Sequence, residues 1–535
     1  MMGGRGPMPD TNQNASERPY ISPKISESLS EYLILPWWVT AKPEEVSLEC
    51  NLGNIKLQYP FMTARMQSVV GPEMAVAAGR NGILTMVPRS LRDEDKQAIL
   101  DANNNARLKA GDIEYQSNFV SAQPETRFDN VAKLVETFGY SVIPVIDRFS
   151  KLYGVYVHDP NNQPSAPPYT PIKELMLPLR KQGPGRGVQC ITHRDDQKIK
   201  EIAASEEKKF IPIVNEAGIL QEIAFLRKFD TNYAGIAIST RDGRWQEDLE
   251  KWGPQVDTLC IDSSNACFDD ALKILKAAKE RFPDKPFGIG NIVHGAHYRR
   301  FAEDGADYVI GGMGVGSICQ TGSERGNGRG QMTVAHELAV VRDELEEEGK
   351  KVPFVIDGAI ETVKDMTIAL ALADLIMMGN FFNRFYEAAG RKLTEKRSGK
   401  NITYIETGDE SLISHVETWG EGHPTAGLVA MYGLRFREAL AKGSSSNNAE
   451  VAERYGHSNL SSSTIEGVVG VTSYAGRLKP GIEKAGRYIT TTISNSGGHD
   501  LASFRKSVRE NQLLERASQR TIEDMLPHGI IVTER

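Results

Sequence analysis

No stretch of this 535-residue chain is long and apolar enough to lie across a membrane. The longest apolar run, Ile368 to Met378, is interrupted by Asp374 and falls far short of the roughly 20 residues that a helical span needs. Positive charge is not in excess either: 63 Lys and Arg stand against 70 Asp and Glu, a net charge of -7. That leaves no broad basic face for phosphate backbones and argues against nucleic acid as a partner. Cysteine is sparse. Cys50, Cys190, Cys260, Cys267 and Cys319 form no CxxC pair and have no His at zinc spacing, which excludes a disulfide framework and a structural metal and points to a reducing compartment. The first twenty residues, with Gly3, Gly4, Gly6, Pro7, Pro9, Asn12 and Asn14, lack the apolar core of a signal peptide and read as part of a disordered tail over 1–27. The expectation is a soluble, cytoplasmic protein, too long for one hydrophobic core.

Short apolar, β-favouring runs recur with helical patterns between them. Strands are expected at Phe61-Thr63, Ile83-Val87, Gly235-Ile238, Thr258-Ile261, Phe287-Ile289, Tyr308-Ile310, Phe354-Ile356 and Leu375-Met378, the later ones at βα spacing. Eight such units predict an α/β fold, a (β/α)8 TIM barrel, built from residues 28–112 and 231–535. The connection between the second and third strands, 113–230, is too long for a loop. Within it Ser141-Val142-Ile143-Pro144-Val145-Ile146-Asp147 and Lys209-Phe210-Ile211-Pro212-Ile213-Val214-Asn215 repeat one another, each after a helical segment and before a further strand. The repeat resembles a tandem pair of cystathionine-β-synthase (CBS) modules, the Bateman arrangement, with 160–171 as linker. A purely structural insert is the alternative.

The chemistry gathers at the expected strand ends. Gly312-Met313-Gly314-Val315-Gly316-Ser317-Ile318-Cys319-Gln320-Thr321 places a cysteine at the end of a glycine-rich turn after strand six. Glycines at alternate positions let backbone dipoles approach a ligand or ion, and such surroundings can increase the thiolate fraction of a nucleophile. A small core residue is the other reading of Cys319. Strand seven ends in Asp357-Gly358-Ala359 and strand eight in Gly379-Asn380, where barrels commonly bind phosphate; Asp357 suits the two hydroxyls of a ribose, or a helix N-cap. Asp262-Ser263-Ser264 after strand four and Asn291 after strand five suit a second ligand's sugar and carboxamide, or serve as turn residues.

Together GMGVGSICQT, AEDGADYVIGG, IDGAI, IMMG, DSSN, GNIV and Phe61-Met62-Thr63-Ala64-Arg65-Met66-Gln67-Ser68 resemble the IMP dehydrogenase family, over nearly everything after Ser28. GMP reductases share the barrel and cysteine loop. The dehydrogenase side is favoured by Arg454-Tyr455 ahead of Glu466-Gly467-Val468, in the register of a mobile flap expected over about 390–465. The resemblance implies NAD-dependent oxidation of IMP to xanthosine 5′-monophosphate through a thioimidate on Cys319. The alternatives are NADPH-dependent reduction of GMP and a silent nucleotide-binding regulator.

On the same footing, Arg454 with Tyr455 would be the water-activating base. Neutralising an ordinary arginine near pH 7 costs roughly 8 kcal/mol, so a Thr321–Glu466 relay is the cheaper second route. Substrate contacts are implied for Met66, Ser317, Asp357, Gly358, Ala359, Gly379, Asn380, Glu421, Gly422 and Glu466. Cofactor contacts fall on Asp262, Ser263, Ser264, Asn291, Gly312 and Gly314, and a potassium ion on the carbonyls of Gly314, Gly316 and Cys319. The family also implies purine nucleotides at the CBS insert and a homotetramer or octamer. Departures from the commoner pattern are Ala64-Arg65-Met66-Gln67 for Ser-Pro-Met-Asp, Ala359 for glycine, Asn380 for serine, and Thr418-Trp419-Gly420-Glu421-Gly422-His423 for a YRGMGS-like segment. They resemble a divergent bacterial branch with AxMQSV, GRGQ and WGEG signatures.

Overall fold

The computed structural model describes residues 25–525, except 160–163, 181–186, 207–209, 242, 320, 400, 422, 424, 427–428, 430–432 and 435–467. Eight parallel strands form one sheet: β1 (Phe61–Thr63), β2 (Thr85–Val87), β3 (Ala234–Ile238), β4 (Thr258–Asp262), β5 (Phe287–Ile292), β6 (Tyr308–Gly311), β7 (Phe354–Asp357) and β8 (Leu375–Met378). Each pairs with its neighbour in sequence, and β8 pairs with β1. Thr63 N–H donates to Leu84 O at 3.1 Å and Leu84 N–H to Phe61 O at 3.3 Å, closing the barrel between β1 and β2. The expected strands are all present; β4 to β7 run one to three residues further than the apolar runs, into Asp262, Ile292, Gly311 and Asp357.

These strands read as nearly continuous apolar runs because both faces are buried. Met62, Met86, Ala237, Cys260, Tyr308, Ile310, Val355, Leu375 and Met377 pack inside the barrel, while Phe61, Ile236, Ile261, Phe287, Val309, Ile356 and Ile376 face the helices. The hairpin Cys50–Leu52/Ile55–Leu57 adds Leu52, Ile55 and Leu57 to the inner cluster. Asn54 Nδ2 donates to Asp284 O ahead of β5, so this hairpin plugs the N-terminal mouth and leaves the C-terminal mouth for chemistry. The outer helices are α1 (Pro72–Arg80), α2 (Asp93–Asn105), α3 (Arg244–Trp252), α4 (Asp269–Arg281), α5 (Gly295–Glu303), α6 (Gln331–Glu347), α7 (Val363–Leu370) and α8 (Leu478–Asn495). α8 packs against both α7 and α1 and completes the ring.

Two additions interrupt this plan. Between β8 and α8, Lys392–Ser398, Asn401–Glu406, His415–Trp419 and Val469–Ser473 make a four-stranded antiparallel sheet, so 392–419 of the stretch read as a flap is regular structure. Between β2 and β3 the two sequence repeats form matching units. Helix Phe128–Phe138 leads to hairpin Val142–Ile146/Leu152–Val157, and helix Asp196–Glu206 to Phe210–Val214/Leu220–Leu226. Each hairpin has a register shift at the same place, Val145/Ile146 and Ile213/Val214. The units meet reciprocally, Leu152 N–H donating to Gly218 O and Leu220 N–H to Ser150 O, both at 3.0 Å. The first strand of the insert, Ile113–Gln116, joins the second hairpin rather than the first. The two chain segments leading to and from the insert bond to each other: Thr231 N–H to Leu108 O at 2.8 Å, Gly111 N–H to Arg227 O and Arg227 N–H to Asp112 O, both at 2.9 Å.

Candidate active site

The C-terminal ends of the strands surround a cavity of about 430 Å³. It is lined by Met66 from β1, Asp262, Ser263 and Ser264 from β4, Asn291 from β5, Gly312, Gly314, Gly316, Ser317, Cys319 and Thr321 after β6, Asp357, Gly358 and Ala359 from β7, Gly379 and Asn380 from β8, and Glu421. Residues expected from sequence to serve two different ligands thus meet in one space. Gly422, Arg454, Tyr455 and Glu466 lie outside the described residues.

The cysteine loop is shaped by its glycines. Gly312 has φ 132° and Gly314 φ 78°, a region that L side chains rarely adopt. A Cβ on Gly312 would also collide with Asp357 O and the Gln331 amide. Arg329 N–H donates to Met313 O at 3.2 Å, and Val468 N–H to Ile318 O at 3.4 Å, so the loop is braced from both sides. Cys319 is half-buried; its Sγ donates to Thr321 Oγ1 at 3.3 Å, and its N–H donates to Gly316 O at 3.0 Å. A thiol beside a buried hydroxyl at the edge of a cavity can attack a ligand and pass its proton along a short path.

Facing the loop, Asp357 Oδ2 accepts from Arg65 Nη2 and from Asn291 Nδ2, both at 3.1 Å. Its carbonyl accepts from Gln331 Nε2 at 2.7 Å, which gives the glutamine of the GRGQ stretch a role in holding the β7 end. Ala359, where a glycine is usual, keeps the glycine-like backbone with φ 55°. Asn291 engages both ends of its amide within the protein: Oδ1 accepts from Arg65 Nη2 at 2.6 Å and Nδ2 donates to Gly312 O at 2.7 Å. Asn380 Oδ1 accepts from Thr472 Oγ1 at 3.3 Å, tying the β8 end to the antiparallel sheet.

Arg65 was assigned no role from sequence. Its guanidinium is buried among the strand ends, pairs with Asp262 at 3.2 Å and Asp357 at 3.1 Å, and donates to Ile261 O at 3.4 Å. Burial works against its charge, but Asp262, then Cys260 and Asp357, outweigh that and hold the group above its ordinary value. Arg89 approaches the other oxygen of Asp262 at 3.5 Å. A charged residue two positions past a strand end, as Arg65 is past Thr63, is a signal for a site residue in a barrel.

Two of the departures from the family pattern touch each other. Gln67, fully buried, donates from Nε2 to Ser90 O at 3.1 Å and Ala426 O at 3.2 Å, and accepts from Trp419 Nε1 at 3.2 Å. Gln67 N–H donates to Glu421 Oε1 at 2.6 Å, and Ser90 Oγ to Glu421 Oε2 at 2.5 Å. Ser68 Oγ donates to Trp419 O at 3.2 Å, and Asn383 Nδ2 to Thr418 Oγ1 at 2.7 Å. The altered β1 end and the altered WGEG segment are one interlocked unit, so each substitution is complemented by the other.

Residues 27–414 match the family described as IMP dehydrogenase / GMP reductase domain. Among curated relatives, the chain is 28% identical over 543 residues to the inosine-5′-monophosphate dehydrogenase of Tritrichomonas foetus, covering 95% of this chain and 97% of that protein. It is 25% identical over 473 residues to that of Escherichia coli strain K12, covering 85% and 87%. Among solved structures, a GMP reductase from Trypanosoma brucei in complex with guanosine 5′-monophosphate has the same fold, with TM-score 0.59, 19% identity, and coverage of 95% of this chain and 99% of that one.

Proposed function

Because the chain belongs to the IMP dehydrogenase / GMP reductase family of purine-nucleotide oxidoreductases, we propose that it oxidises IMP to xanthosine 5′-monophosphate with NAD. The observation that carries this reading is a thiol, Cys319, on the same cavity as two carboxylates, Asp357 and Asp262, one for each ligand's sugar. The choice of oxidation over reduction follows the dehydrogenase relatives, of which that of Tritrichomonas foetus matches 95% of this chain.

Asp357 takes the nucleotide ribose, with Ser317, Gly358, Ala359, Gly379 and Asn380 for the phosphate and Met66, Glu421 and Gly422 for the base. Asp262, Ser263 and Ser264 provide a carboxylate and hydroxyls on the cavity that Cys319 also lines, a donor and acceptor set that fits a dinucleotide's ribose; Asn291, Gly312 and Gly314 complete that side. NAD, when bound, supplies the acceptor for a hydride. Cys319 Sγ adds to C2 of the purine and loses its proton, C2 gives up its hydride, and the purine is left as a thioimidate on sulfur. Water then adds to C2, the C–S bond breaks and the thiol is restored. Arg454 with Tyr455 is the base for that water, and Thr321 with Glu466 the second route; the 3.3 Å contact from Cys319 to Thr321 supports Thr321's share. Carbonyls of Gly314, Gly316 and Cys319 suit a potassium ion, since hard cations take oxygen ligands; it would order the loop. The tandem repeat of 113–230 is proposed as a CBS pair sensing purine nucleotides, in a homotetramer or an octamer.

The test is a pair of assays at the absorbance of reduced cofactor. IMP with NAD should give a rise, and GMP with NADPH no change. A fall with GMP and NADPH, and no rise with IMP, would assign the chain to the reductases. Mass spectrometry should find a purine adduct on Cys319 during turnover, absent in Cys319→Ala; binding of IMP without adduct would make the chain a silent nucleotide-binding regulator.

A further inference from the structure

Arg65 joins the two sugar carboxylates through one guanidinium. Its Nη1 lies 3.2 Å from Asp262 Oδ1 and its Nη2 3.1 Å from Asp357 Oδ2. The side chain is 5% exposed. A planar fork can hold two carboxylates at once, but what one receives is not available to the other.

Asp357 Oδ2 already accepts two N–H groups from within the protein, and among the described residues none donates to Oδ1. A ribose diol that straddles the carboxylate therefore finds Oδ1 open and competes with Arg65 and Asn291 for Oδ2. Asn291 stays tied to Gly312 O at 2.7 Å. The guanidinium, loosened from Asp357, has its other carboxylate within reach and is drawn toward Asp262. A more fully engaged Asp262 accepts less well from the hydroxyls of a second ligand.

On the functional reading given above, we propose that Arg65 is a positioning residue that yokes the two subsites, so that nucleotide at Asp357 weakens dinucleotide at Asp262. Linkage makes the effect reciprocal. It serves a reaction in which the reduced dinucleotide must leave while the purine remains on Cys319.

The test uses the full chain with Cys319→Ala, which binds without turnover. NAD affinity is measured by isothermal titration with and without saturating IMP. NAD should bind about 5-fold more weakly with IMP present, the low end of typical site–site coupling. In Cys319→Ala with Arg65→Lys, which keeps the charge but lacks the fork, the ratio should fall below about 2-fold. An unchanged ratio in that variant overturns the yoke. The parent alone can also overturn it, by binding NAD equally or more tightly with IMP present. Failure of the parent to bind either ligand overturns the functional reading and the yoke together, whereas binding of both without negative coupling overturns the yoke alone.

Discussion

Replacing Gln67 by leucine keeps the size of a fully buried side chain and removes its three side-chain hydrogen bonds, to Ser90 O, Ala426 O and Trp419 Nε1. Each such bond contributes about 1 kcal/mol, and a buried group left without a partner costs about 1–3 kcal/mol. Some of this is offset by burying a more apolar side chain, so the net loss should be about 3 kcal/mol. For a barrel of the size built from residues 28–112 and 231–535 that lowers the apparent Tm by about 4 °C. Trp419→Phe removes one donor and leaves Gln67 Oε1 unsatisfied, at about 1–2 kcal/mol. Because the two side chains touch, the double variant should fall short of the sum by about 1 kcal/mol. Thermal unfolding followed by circular dichroism on all four proteins reads both quantities. A Gln67→Leu loss under about 1 kcal/mol, or strict additivity, would refute the interlocked reading of the β1 end and the WGEG segment.

Gly312→Ala puts a methyl group against Asp357 O and the Gln331 amide at a φ of 132°; it should cut kcat/KM about 100-fold by displacing the cysteine loop from Asp357, and retention of most activity would contradict the packing. Ala359→Gly relieves a left-handed alanine, worth about 1 kcal/mol, against a similar gain in freedom of the unfolded chain. Stability should stay level or rise by up to about 1 kcal/mol, and a clear fall in denaturant midpoint would count against a strained Ala359. Burial pushes Lys392 down to about 8, so folding disfavours its protonated form. Below about pH 8 both folded and unfolded chains hold the proton and the cost is constant; from there toward the ordinary value of 10.5 the unfolded chain holds the extra proton, and stability rises with pH. Relative to Lys392→Met, the wild type should gain up to about 1.4 kcal/mol per pH unit across that window, and a flat difference from pH 8 to 10 would show that Lys392 does not titrate there.

The barrel was legible because burial on both faces turns its strands into uninterrupted apolar runs, and because the βα spacing orders them. The cavity was legible for the same reason: a residue just past a strand end has one place to go. Arg65 and Gln67 were visible as departures, and Arg65 also by its place past a strand end, but a charged or polar residue in a loop ordinarily reads as solvated. What makes them structural is a set of partners far away in sequence: Asp357 lies 292 positions from Arg65, and Trp419 lies 352 from Gln67. No local pattern encodes such pairings. The antiparallel sheet of Lys392–Ser398 and its neighbours was missed because Lys392–Ser398 is largely polar and Asn401–Glu406 is exposed throughout, with little alternation to reveal a face.

The segments that lead to and from the repeats between β2 and β3 are bonded to each other, while β2 and β3 pair directly, Thr85 to Ala234 and Val87 to Ile236. The chain therefore enters and leaves the insert at a single seam, while the insert's helix Phe128–Phe138 also packs against α8. Outside the seam, Lys479 Nζ reaches Gly139 O at 2.6 Å and Pro480 packs on Gly139. A splice from Leu108 to Thr231, whose backbones already meet at 2.8 Å, would excise the whole appendage with the register of the barrel intact. Gain or loss of such a module in a lineage asks for one cut and one join, and beyond them only an adjustment where α8 meets the insert.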